Sequence, residues 1–153
     1  MTPPGSDDLS VYGADGLSSV FARLMRASLL LDAVQRSSLT PFGLTFIDYS
    51  ALCILENSGE PFRLAPSRMA ELLVRTTGGT TRIVDRLETR GLVERVPGGS
   101  DRRSVLVGLT PDGHELCRSA RAAYHERRAQ IVAHMDPVDL EHINASIGLL
   151  VTA

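Results

Sequence analysis

Apolar residues recur at three- and four-residue intervals through the first regular stretch of the chain, where Leu17, Val20, Phe21, Leu24, Ser28, Leu31 and Gln35 fall on one helical face. The spacing predicts a long amphipathic helix over 15–37. The breaker "TPFGL" ends it. A second helix follows over 45–57, with Phe46, Tyr49, Leu52, Cys53 and either Leu55 or Glu56 on a shared face and Gly59 beyond its end. An extended piece at 62–64 leads to Pro66, which suits a first helical turn, and "SRMAELL" forms a third helix of barely two turns. After a break at 74–76 a fourth helix runs over 77–89, with Ile83, Val84 and Leu87 facing inward and Gly91 placed for a left-handed cap. The period then changes to alternation. "LVERVP" reads as a strand, "GGSD" as a turn, and "RRSVLVGL" as the returning strand with Val105, Val107 and Leu109 on one face. Thr110 with Pro111 starts a helix over 111–134, and Asp136 with Pro137 starts a last one in which Leu140, Ile143, Ile147 and Leu150 repeat at helical intervals.

These elements make a mainly α chain with a small β-wing. Two helices joined by so tight a turn form a helix-turn-helix, and the hairpin beside it completes a winged lobe at 61–110. N-terminal helices at 15–60 and C-terminal helices at 111–153 flank that lobe, and the Pro-, Gly-, Asp- and Ser-rich residues 1–14 read as a flexible arm. The stripes on the first and last helices are too apolar to leave in water and too far from the lobe to be its core. They imply a homodimer assembled through both ends.

The net charge of −2 argues against a nucleic-acid partner, but its distribution argues for one. Residues 63–103 hold nine Arg against five acids, a local +4, while the rest of the chain carries −6. Such asymmetry is the footprint of a binding segment on an acidic scaffold, the alternative being an ordinary solvated face. All 16 basic residues are arginine. No stretch approaches the roughly 20 apolar residues of a membrane helix, and the N-terminus carries acids where a secretory signal would carry positive charge. A cytoplasmic protein with no membrane association is expected. Cys53 and Cys117 imply no disulfide framework, and no CxxC pair suggests structural zinc.

The segment "RMAELLVRTTGGTTRIVDRLETRGLVERVPGGSDRRSVLVGLTPDGHEL" resembles the MarR family of winged helix-turn-helix transcription regulators. The likeness spans residues 15–150 and is strongest over 67–116, where the Asp-x-Arg wing motif and the Leu-Thr-x-x-Gly helix start occur together. It implies a homodimer whose two winged lobes bind double-stranded DNA at a pseudo-palindromic operator. It also implies a pocket for a small-molecule effector between the dimerising helices and the lobe, for which Phe42, Phe46, Tyr49 and Cys53 are the candidates. "LAPSR" departs from the family in placing Ala65, a weak cap, where many relatives have a hydroxyl.

The N-terminal end of a recognition helix meets base edges in the major groove, and Thr77, Thr80, Thr81 and Arg82 occupy that end. Arg75 and Arg86 are better placed for phosphates, and Ser67 in the first turn of the third helix joins the DNA-facing set. Gly78 and Gly79 cost about 1 kcal/mol each in a helix, offset either by close approach to DNA or by packing against the preceding helix. Thr76 or Thr77 also suits an N-cap. Arg102 and Arg103 at the wing tip fit a narrow minor groove, with Arg103 the minor-groove reader by resemblance and Asp101 the residue that orients it.

Other chemistry is less supported. His114 and Cys117 on one helical face make half a metal site, but His125, His134 and His142 converge on no cluster, so no metal and no cofactor are expected. No nucleophile, base and orienting group recur together and no phosphate loop is present, so the chain does not read as an enzyme. A ligand-responsive dimeric repressor is the reading. A redox-responsive regulator using Cys53 or Cys117, or a winged helix devoted to protein contacts, is the alternative.

Overall fold

The computed structural model describes residues 16–98 and 105–151. The chain runs α1 (Gly16–Leu39), a 3-10 turn (Thr40–Phe42), α2 (Phe46–Asn57), β1 (Arg63–Leu64), α3 (Pro66–Leu72) and α4 (Thr77–Thr89). It continues through β2 (Val93–Pro97), β3 (Val105–Leu109), α5 (Pro111–Val132) and α6 (Pro137–Val151). Among the described residues no single helix is long and apolar enough to cross a membrane. The architecture is mainly helical with a small wing, as the periodicities imply.

Hydroxyl caps fix the helix starts. Thr45, Thr76 and Thr110 sit in extended backbone, and each side chain accepts an amide from the third residue of the following helix. At α2 the exchange is reciprocal, since Thr45 N donates to Asp48 Oδ2 at 3.0 Å. Ala65 precedes α3 without a side-chain cap, and Pro66 lessens the loss because it has no N–H to satisfy. Between α3 and α4 the chain turns through Val74 at φ 52°, a left-handed backbone that a β-branched residue rarely adopts.

The extended piece before α3 is a third strand. β1 pairs antiparallel with β3 (Arg63 with Gly108, Leu64 with Val107), and β2 pairs along the other edge from Val93 with Leu109 to Pro97 with Val105, giving the order β1-β3-β2. Two residues are too few for alternation to announce a strand, so the sequence predicts only the hairpin. Of the face predicted from Val105, Val107 and Leu109, the last two are buried, while Val105 stands out at the wing end.

One core joins the lobe to the flanking helices: Leu39 of α1, Leu52 and Leu55 of α2, Met69 of α3, Ile83, Val84 and Leu87 of α4, Val107 of β3, and Cys117 and Tyr124 of α5. The stripe of α1 stays outside it, with Phe21 59% and Leu31 48% exposed, and Ile143, Ile147 and Leu150 of α6 are likewise uncovered. Helical periodicity marks these residues as apolar faces, and the described residues leave them uncovered.

Candidate nucleic-acid interface

The start of α4 is a capped, glycine-softened surface. Thr76 Oγ1 accepts Gly79 N–H at 3.2 Å, so Thr76, and not Thr77, is the N-cap. A Cβ on Gly79 would lie 3.3 Å from that hydroxyl, whereas one on Gly78 would meet nothing within 4 Å. Packing against the preceding helix therefore does not explain Gly78. Thr77, Thr81 and Arg82 are exposed around it. Thr81 donates its hydroxyl to Thr77 O at 3.0 Å, and Arg82 has no ion-pair partner among the described residues.

Thr80 corrects the expectation. It is 0% exposed and its hydroxyl donates back to Thr76 O at 3.2 Å. Residue 80 lies three, four and seven positions before Ile83, Val84 and Leu87, so the helical period puts it on the inward face with them. It is a core residue with a satisfied hydroxyl.

The stripe Arg82, Arg86 and Arg90 divides by function. Arg86 Nε donates to Asp48 Oδ1 at 3.0 Å and Nη2 bonds the same oxygen. Arg90 donates to the carbonyls of Gly43 at 2.7 Å and Phe42 at 3.0 Å. Arg86 ties α4 to the first turn of α2 and Arg90 ties the end of α4 to the 3-10 turn before it, while the Arg86 side chain stays 47% exposed. Asp48 is 2% exposed. Burial alone would raise its carboxyl, but the bonds from Arg86 and Thr45 outweigh burial and hold it below the usual carboxylate range.

Pairing also locates the free positive charge. Arg68 pairs with Glu71 at 2.7 Å, and Arg95 of β2 binds Asp85 and Glu88 of α4. Three of the five acids in the basic segment are thus neutralised within the lobe. Arg75 and Arg82 remain exposed with no acidic partner among the described residues, and Ser67 is exposed in the first turn of α3. Asp101, Arg102 and Arg103 lie outside the described residues. The base of their hairpin is described: β2 and β3 are paired out to Pro97 and Val105.

A cavity of about 550 Å³ opens between α2 and α5. Phe46, Tyr49 and Cys53 line it together with Arg121, Tyr124, His125 and Arg128 of α5. The Tyr49 and Tyr124 rings meet edge to face at 5.7 Å, and Arg128 Cζ lies 4.5 Å from the Tyr124 centroid. Burial is the main cause that pushes the Tyr49 phenol up to about 12. Phe42 is not part of this cavity; in the 3-10 turn it borders a separate one between the end of α1 and α5, with Ser38 and Arg127. The α5 residues were missed, although 121, 124 and 128 fall on one helical face and their spacing carries that signal.

His114 Nε2 lies 3.1 Å from Glu56 and its ring 5.6 Å from that of Phe62, while Cys117 faces Cys53. Among the described residues no group of three His, Cys, Asp or Glu is placed to hold a metal.

Residues 42–104 match the sequence model of the MarR family. The chain is 29% identical over 129 residues to the HTH-type transcriptional regulator PecS of Dickeya dadantii, covering 84% of this chain and 78% of that one. It is 30% identical over 112 residues to the regulator YhbI of Bacillus subtilis, covering 73% and 71%. It is 32% identical over 95 residues to the transcriptional repressor MprA of Escherichia coli, covering 62% of this chain and about half, 53%, of that repressor. Among solved structures, AbsC of Streptomyces coelicolor superposes with a TM-score of 0.82 at 24% identity, covering 91% and 94%. A MarR variant of Escherichia coli complexed with operator DNA superposes at 0.75 and 22%, covering 90% and 99%. BpsR of Bordetella bronchiseptica, whose DNA binding is regulated by 6-hydroxynicotinic acid, does so at 0.77 and 21%, covering 92% and 98%.

Proposed function

The chain belongs to the MarR family of transcriptional regulators that bind DNA operators, and from that premise we propose that it is a dimeric repressor released by a small aromatic anion. The single observation that carries the DNA reading is the start of α4. There Thr77, Gly78, Thr81 and Arg82 form an exposed helical end on which Arg82 has no ion-pair partner among the described residues, while Arg86 and Arg90 are bonded within the lobe. Arg82 reads a base, Arg75 and Ser67 contact phosphates, and the wing residues Arg102 and Arg103, oriented by Asp101, enter the minor groove. Dimerisation through α1, α5 and α6 places two lobes on one pseudo-palindrome. Repression accords with the name of MprA.

The effector class follows from the cavity. Three aromatic rings, inclined to one another, supply an apolar wall, and Arg128 supplies charge complementary to a carboxylate. The likeness to BpsR supports this class.

Operator fragments selected from a random genomic library provide the test. Arg82→Ala lowers affinity by about 1–3 kcal/mol per half-site and relaxes preference at one symmetric pair of positions, whereas Arg75→Ala weakens all sequences alike. An Arg82→Ala protein with unaltered base preference would remove Arg82 from the reading set.

A further inference from the structure

Two cysteines separated by 64 positions meet inside the subunit. Cys53 Sγ of α2 and Cys117 Sγ of α5 lie 3.6 Å apart. A disulfide needs the sulfurs at about 2.05 Å, so they must close by roughly 1.5 Å, a closure shared between side-chain rotation and the approach of the two helices. Their exposures differ: Cys53 is half-buried on the wall of the cavity, while Cys117 is fully buried behind it.

We propose that Cys53 and Cys117 are a modification site at which a small hydroperoxide entering the cavity is reduced and the two thiols become an intrachain disulfide joining α2 to α5. Cys53 is the attacking thiol and Cys117 the resolving one. The Cys53 thiolate attacks one peroxide oxygen, the O–O bond breaks, and the leaving alkoxide takes up the proton Cys53 gave up. This yields an alcohol, or water from hydrogen peroxide, and a sulfenic acid on Cys53. Cys117 then attacks that sulfur, the S–S bond forms, the S–O bond breaks, and hydroxide leaves with the Cys117 proton as water. Two thiols and one hydroperoxide thus give one disulfide, one alcohol and one water.

The surroundings favour this order. The two sulfurs lie within hydrogen-bond distance with either able to donate, and this contact, the largest influence on each thiol, holds Cys53 below the usual thiol range and Cys117 above it. Glu56 Oε2 lies 3.7 Å from Cys117 Sγ and is itself bound by Arg121, so a carboxylate stands ready to relay the Cys117 proton to the departing hydroxide in the second step. Arg121 lies 3.9 Å from Cys117 Sγ and keeps positive charge beside the pair.

The consequence for DNA rests on the operator-binding reading above. α2 carries Asp48, whose bond to Arg86 holds α4, so drawing α2 toward α5 moves the support of the recognition helix. Oxidation is expected to lower operator affinity by a factor within about 5 to 150, the range of ordinary coupling between sites.

The test treats the full-length dithiol protein with stoichiometric hydrogen peroxide, blocks free thiols, and maps peptides without reduction. The expected result is a Cys53–Cys117 linked peptide short of two hydrogens, in a chain that stays single on a non-reducing gel. In Cys117→Ala the sulfenic acid persists on Cys53 and is trapped by dimedone. Two free thiols after treatment, a link between chains, or first oxidation at Cys117 would overturn the proposal. Operator titration is run on the same samples, with loss of affinity expected on oxidation and recovery on adding dithiothreitol. A disulfide without change in affinity overturns the coupling to DNA. Failure of the reduced protein to bind any operator overturns the function proposed above and leaves the dithiol to be judged by the peptide map.

Discussion

Asp48 holds three groups with one carboxylate: the Thr45 amide at 3.0 Å, the Thr45 hydroxyl at 2.6 Å and the Arg86 guanidinium. Replacing it with Asn keeps the shape but removes the charge that Arg86 and the helix start require, so Asp48→Asn is expected to destabilise by about 2 kcal/mol at neutral pH, read from the urea midpoint. The carboxyl is lowered on folding, so its stabilisation is complete above the unfolded value of about 4 and is lost as pH falls through the folded value. The wild type should therefore lose stability below about pH 4 more steeply than Asp48→Asn, and parallel acid limbs would rule the ion pair out as a source of acid sensitivity. Half of this residue's role was legible in the sequence. Thr45 and Asp48 stand three apart, the spacing of a reciprocal cap, whereas Arg86 is 38 positions away and only the fold brings it near. Thr80 was legible in full from its spacing to Ile83, Val84 and Leu87, but its place at the helix start had suggested DNA.

At the scale of elements, the junction of α4, β2 and α5 is the most tightly fitted. Thr110 Oγ1 donates to Gly91 O at 2.7 Å while accepting Gly113 N–H at 3.0 Å, so one hydroxyl ties the end of α4 to the start of α5. A Cβ on Gly113 would run into the Leu92 carbonyl and lie 3.0 Å from Leu109 Cδ1. Gly113 is needed here for close approach, since its backbone is ordinary helix. Gly113→Ala is expected to cost about 2–3 kcal/mol, because backbone and not a flexible side-chain end must move. Thermal unfolding checks it, and an unchanged midpoint would mean that α5 can slide away from Leu92 without penalty. The cap at Thr110 and Pro111 could be read from sequence because it is local. The reason for Gly113 could not, since its opposing carbonyl belongs to a different element.

For the whole molecule, the exposed apolar faces of α1 and α6 set the expected assembly. Phe21, Leu31, Ile143, Ile147 and Leu150 together are too much uncovered surface for a chain that stays alone in water. Sedimentation equilibrium at micromolar concentration is expected to give twice the 16.5 kDa chain mass, and deletion of 137–153 a monomer that has lost most of its operator affinity. A stable full-length monomer would contradict this. The two-residue strand β1 bears on a different question, that of portability. By pairing with β3 it closes a loop of roughly forty residues that contains α3, α4 and β2, and undoing that closure would release about 3 kcal/mol of chain entropy. Arg86 and Arg90 add anchors that lie before the loop begins. Helix α4 is therefore not a detachable cassette: cut out and transplanted, it would leave behind the strand, the carboxylate and the carbonyls that hold it. If α4 reads the operator as proposed, an altered preference is expected from substitution of its exposed side chains in place, where an exchanged segment would lose these anchors.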